Sequence, residues 1–109
     1  MLEATKVNKT GFGYSIDNPI KTMFIPLAYT YLNNLRPKEG FILKYERVGS
    51  FKLKNNPHFI DKYKIYVLIK NDETGDVDFR VYAVWIDSYS TENSKQPPED
   101  FLFKVQLNW

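Results

Sequence analysis

Apolar and polar positions alternate most cleanly between Asp61 and Asp87, on either side of the turn-rich stretch Asp72-Glu73-Thr74-Gly75-Asp76. A period of two marks a strand with one buried face, so the chain predicts a hairpin here. With Asn71 facing Val77 across a five-residue connection, Ile69 pairs with Phe79, Val67 with Val81, Ile65 with Ala83 and Tyr63 with Trp85, which makes one face nearly all apolar. The reverse face then sets Lys70 against Asp78, Leu68 against Arg80, Tyr66 against Tyr82, Lys64 against Val84 and Lys62 against Ile86. A slip of one residue would put Ile69 opposite Asp78 and Lys64 opposite Ala83. The expectation is therefore that odd-numbered residues line the core.

Upstream the period changes. Phe24, Leu27, Ala28, Tyr31, Leu32 and Leu35 fall at helical spacing, with Tyr29, Thr30, Asn33 and Asn34 on the opposite side, which predicts an amphipathic helix of about three turns. Pro26 suits only its first turn, and Arg36-Pro37 with Gly40 closes its far end. Phe41, Leu43 and Tyr45, with Phe51 and Leu53 beyond, continue an odd-numbered stripe, as one bent strand or a tight hairpin in which Gly49 marks a bulge, a turn or a close approach. Lys54 to His58 reads as a loop, and Ser88 to Asp100, with Pro97-Pro98, as an exposed, mobile one. Phe101, Phe103, Val105, Leu107 and Trp109 form a last period-two stripe that carries the final residue into the core. Leu2 to Val7 is readable as a short strand, and Gly11, Gly13 and Asp17-Asn18-Pro19 punctuate turns after it.

These elements predict a single α+β domain over residues 1–109, with one amphipathic helix packed on the odd-numbered face of a four- to five-stranded antiparallel sheet. The outline resembles one-helix α+β scaffolds such as the cystatin-like shape, a likeness of architecture that implies no activity. No motif of a particular family accompanies it.

Composition narrows the picture. A chain of 109 residues with 43% hydrophobic and 17% aromatic content can bury roughly two-thirds of its unfolded surface around one core. It holds no cysteine, which removes disulfides, thiolate nucleophiles and cysteine-based metal sites. The residues from Met1 to Lys6 lack an apolar leader core and no apolar run is long enough to span a bilayer, so the expectation is a cytoplasmic protein with no membrane association. A net charge of +2 is too small to imply nucleic acid by itself.

Catalytic chemistry is thin. His58, the single histidine, follows Asn55-Asn56-Pro57 in a polar loop and reads as an exposed bystander; only the fold can bring distant Asp61, Asp87, Tyr89 or Glu92 together. Gly11-Phe12-Gly13 is not a phosphate loop, because the third glycine and the strand-to-helix context are missing. The carboxylates of Asp72 to Asp78 lack the glycine position and closing glutamate of a calcium loop, and Gly75 there suits a plain turn. Lys9-Thr10-Gly11-Phe12-Gly13-Tyr14-Ser15-Ile16 loosely resembles the basic and aromatic string of RRM and cold-shock domains, although turn glycines beside core aromatics account for it more simply. A pocket lined by Tyr31, Tyr45, Tyr63 and Trp85 would need a curved sheet, and dense packing is expected instead. No catalytic residue, metal or cofactor is expected.

The outer sheet face carries the functional expectation. Lys64, Tyr66, Leu68, Arg80, Tyr82 and Lys104 would surround an aromatic centre with cations, an arrangement suited to recognising another protein. The alternative is a single-stranded nucleic-acid-binding face using Lys64, Arg80 and Lys104. Neither reading identifies a partner or an oligomeric state.

Overall fold

The computed structural model describes residues 3–107. Three antiparallel strands of eleven residues each form its body: β4 (Phe41–Phe51), β5 (Ile60–Lys70) and β6 (Val77–Asp87), with β5 in the middle. Two short strands, β1 (Thr5–Lys6) and β2 (Ile20–Lys21), run parallel to β6 along its other edge, so the sheet is mixed rather than wholly antiparallel. The helix α1 (Ile25–Asn34) carries Pro26 in its first turn and covers one sheet face. A separate antiparallel ribbon joins β3 (Leu35–Pro37) to β7 (Phe101–Phe103). Among the described residues no helix is long and apolar enough to cross a membrane.

The core lies between α1 and the sheet. Ala28, Tyr31, Leu32 and Leu35 meet Tyr63, Ile65 and Val67 of β5 and Tyr82, Val84 and Ile86 of β6, with Tyr14, Ile20 and Phe101 closing the sides. The odd-numbered side of β5 is thus inside as expected, but in β6 the even-numbered side is inside. Ile65 faces Tyr82, Tyr63 faces Val84, Val67 faces Arg80 and Ile69 faces Asp78, one residue away from the expected register.

The turn explains the shift. Asn71 N–H donates to Asp76 O at 2.8 Å, extending the ladder by one pair and leaving only Asp72 to Gly75 as the loop. The Asn71 side-chain oxygen accepts from the backbone of Glu73 and Thr74, while Gly75, at φ +76°, returns its N–H to Asn71 O. This Asx turn with a left-handed glycine closes a loop one residue shorter than expected, and that exchanges the two faces of β6. The strand accepts the exchange because Tyr82, Val84 and Ile86 bury as well as Val81, Ala83 and Trp85 would.

β4 departs from simple alternation as well. Its pairing slips between Ile42 and Lys44 and again between Arg47 and Gly49, so Leu43 and Val48 are extra residues in bulges. Ile42, Tyr45, Arg47 and Ser50 consequently share the helix side, opposite Val67, Ile65, Tyr63 and Asp61, and the odd-numbered stripe through Phe41 and Leu43 does not form. Phe41 and Leu43 remain exposed. Gly40, at φ +77°, lies so close to β5 that a Cβ would stand 2.1 Å from Leu68 O.

The stretch from Ser88 to Asp100 is tied to the body. Ser90 and Ser94 donate backbone N–H groups to Thr22 and Lys21, Pro98 is buried, and the hydroxyls of Tyr14 and Tyr31 donate to the carbonyls of Glu99 and Gln96. The final stripe is a strand only at Phe101–Phe103, beyond which Val105 is exposed; Trp109 lies outside the described residues.

Candidate functional site

The sheet face turned away from α1 is lined by Lys44 and Glu46 of β4, Lys62, Lys64, Tyr66 and Leu68 of β5, and Phe79, Val81, Ala83 and Trp85 of β6. Of the residues expected to form a binding face, Lys64, Tyr66 and Leu68 are here, all partly exposed. Arg80 and Tyr82 are not, because the one-residue shift turns them to the helix side. Tyr82 is buried and its hydroxyl donates to Asp100 Oδ2 at 3.2 Å, while Arg80 Nε donates to Asp78 Oδ2 at 2.7 Å. Burial chiefly raises the Tyr82 phenol pKa, with Arg80 acting in the opposite sense. Lys104 is also elsewhere. It follows β7, and its N–H caps the helix end through Asn34 O at 2.7 Å.

The exchange removes Asp78 and Arg80 from the outer face and supplies Phe79, Val81, Ala83 and Trp85 instead. None of these four was legible as a surface residue; the four-residue Asx turn is the local signal that would have placed them. The face is organised by its rings. Tyr66 is flanked by Phe79 from β6, centroids 5.9 Å apart and nearly parallel, and by Lys44 from β4, whose Nζ stands 4.9 Å from the Tyr66 ring centre. Trp85 packs edge-to-face with Phe51 at 5.4 Å and carries Lys62 at 5.2 Å over its ring. The Lys9 to Ile16 segment offers no stacking surface of this kind. Gly11 and Gly13 make turns, Tyr14 is in the core, and Lys9 is paired with Glu99 and Asp100.

A second arrangement lies at the far end of the sheet, where the loop before β5 meets the end of β6. His58 was expected to be a bystander, yet its Nδ1 is shielded from solvent and stands 3.0 Å from Asp87 Oδ1, at an angle too oblique for a hydrogen bond. Asp87 is buried and accepts the Tyr89 N–H, and the Tyr89 ring meets His58 edge-on. Beside them Ser50 donates its hydroxyl to Asp61, and one terminal nitrogen of Arg47 reaches both Ser50 Oγ and Asp61 Oδ1, the latter at 3.3 Å. Tyr63 lies next to this trio. Burial, followed by its neighbours Tyr29 and Asp61, raises the Tyr63 phenol, and Arg47 pulls the other way.

The Ser50 hydroxyl donates to Asp61, and among the described residues it makes no hydrogen bond to His58. Among the described residues no three carboxylate or imidazole side chains gather as metal ligands. The chain matches no protein-family model, and comparison with curated proteins and with solved structures finds no significant match.

Proposed function

We propose that the chain is a non-catalytic binding module whose outer sheet face recognises an acidic protein surface. The observation that carries this reading is that β6 contributes Val77, Phe79, Val81, Ala83 and Trp85 to that face. A solvated sheet face ordinarily alternates toward polar residues, whereas this one has an apolar centre with lysines around it, the anatomy of an interface core and rim. Among the described strand residues Lys44, Lys62, Lys64 and Lys70 stand there with Glu46. That imbalance selects an acidic partner and opposes face-to-face pairing of two copies.

The nucleic-acid alternative loses support from the same geometry. Arg80 and Lys104, two of its three expected phosphate contacts, lie elsewhere, and the Tyr66 and Trp85 rings on which bases would stack are already engaged by lysine and phenylalanine. A photo-crosslinking residue in place of Leu68, with one in place of Thr30 on the exposed side of α1 as control, tests the reading in a cell extract. The expected result is a discrete acidic protein captured only from position 68, with affinity reduced by about 2 kcal/mol in Trp85→Ala. Capture of oligonucleotides instead, with affinity falling steeply as salt rises, would overturn it.

A further inference from the structure

Two cavities, of about 660 and 520 Å³, meet at Pro57, His58 and Tyr89 beside the first turn of α1. Both are within the usual size of small-molecule sites. The second has Ile25, Tyr29, Phe59 and Tyr89 as apolar and aromatic walls, with Arg47 and His58 among its polar lining. Tyr29, Phe59 and Tyr89 are all substantially exposed although large and aromatic.

The polar groups facing this space are mostly donors. Asp61 accepts from Arg47 and Ser50, and Asp87 accepts the Tyr89 N–H with His58 Nδ1 beside it, while the third acidic residue, Asp17, lines only the first cavity. Arg47 spends a single terminal nitrogen on these contacts. Its other terminal nitrogen and its Nε make no hydrogen bond among the described residues, and its side chain is half exposed. Asp61 and Ser50 thereby hold a guanidinium in place with its fork still open, the preparation that bidentate recognition of an anion requires. His58, shielded at Nδ1, has a partly exposed side chain, and among the described residues its Nε2 makes no hydrogen bond.

We propose that this cleft binds an aromatic or apolar small molecule bearing one anionic headgroup, a carboxylate or a phosphate monoester. Tyr29, Phe59 and Tyr89 take the body of the ligand, Arg47 takes its headgroup, and His58 Nε2 adds a second polar contact. The site is separate from the outer sheet face.

Amide resonances of ¹⁵N-labelled protein titrated with phenylacetate, phenyl phosphate, phenethylamine and benzyl alcohol test this. The two anions should give saturable shifts centred on His58, Phe59 and Tyr89, and the tighter of the two identifies the headgroup. Arg47→Gln, with a spectrum still dispersed as in the native fold, should weaken them roughly tenfold or more. His58→Gln should weaken them less, and Tyr66→Ala on the outer face should leave them unchanged. The proposal is overturned if neither anion shifts these resonances at millimolar concentration, if phenethylamine binds as well as the anions, or if both Arg47→Gln and His58→Gln bind with native affinity. Crosslinking from position 68 in Arg47→Gln reads the outer face independently.

Discussion

His58 Nδ1 and Asp87 Oδ1 lie 3.0 Å apart, joining the loop that enters β5 to the last residue of β6. Asp87 is buried there and is also the acceptor for the Tyr89 N–H. Asp87→Ala leaves the Tyr89 N–H without its acceptor and removes the carboxylate beside His58, and should cost about 1–3 kcal/mol in urea unfolding. Asp87→Asn keeps an acceptor oxygen and should cost less. Native stability in Asp87→Ala would show that the pair contributes nothing to the fold.

The register of the β5–β6 hairpin can be tested chemically, because the chain has no cysteine of its own. Lys64→Cys with Ala83→Cys puts two thiols directly opposite one another on the outer face, and they should oxidise to a disulfide. Lys64→Cys with Val84→Cys puts them on opposite faces and should stay reduced. The reverse outcome would restore the register in which Lys64 faces Val84. Mass spectrometry after mild oxidation distinguishes the two.

Gly40 and Gly75 have nearly the same backbone angle, φ +77° and +76°, but different surroundings. An added Cβ at Gly75 meets nothing within 4 Å, so Gly75→Ala should cost only the left-handed conformational penalty of about 1–2 kcal/mol. At Gly40 the same atom runs into the Leu68 carbonyl, and the backbone of one strand must move. Gly40→Ala should therefore lower the melting temperature clearly more than Gly75→Ala. Equal shifts would mean that the turn before β4 tolerates displacement.

Tyr14, Tyr31 and Tyr63 all have phenol pKa values raised by burial above the ordinary value of about 10. Above that pH the unfolded chain releases protons that the folded one retains. Their contribution to stability is thus complete below about pH 10 and declines as pH rises, by up to about 1.4 kcal/mol per pH unit for each tyrosine. Phenolate absorbance of these residues should appear together with loss of circular dichroism, and Tyr31→Phe should flatten the decline. Full phenolate formation in a protein still folded would contradict this.

The helix was readable because its signals agree. A stripe at helical spacing, Pro26 in the first turn and Arg36-Pro37 beyond the end all point to the same element, which forms over Ile25–Asn34. β5 was readable for a similar reason, since Tyr63, Ile65 and Val67 are apolar while Lys62 and Lys64 between them resist burial. The outer face was legible in part, through Lys64, Tyr66 and Leu68 of that same strand. The cleft was not. His58, Arg47, Asp61 and Asp87 come from three strands and a loop, and no local pattern ties them together.

In β5 and β6 each strand's own sequence determined which of its residues share a side, because the backbone repeats every two residues; in β4 two bulges overrode that repeat. How one strand's sides match its neighbour's was decided by tertiary structure, through Asn71 and Gly75 closing a loop one residue shorter and through two bulges in β4. β6 left that choice open because it is apolar at both parities. Burying Tyr82, Val84 and Ile86 beneath α1 left Trp85, Ala83 and Val81 outside, where the proposed recognition surface lies.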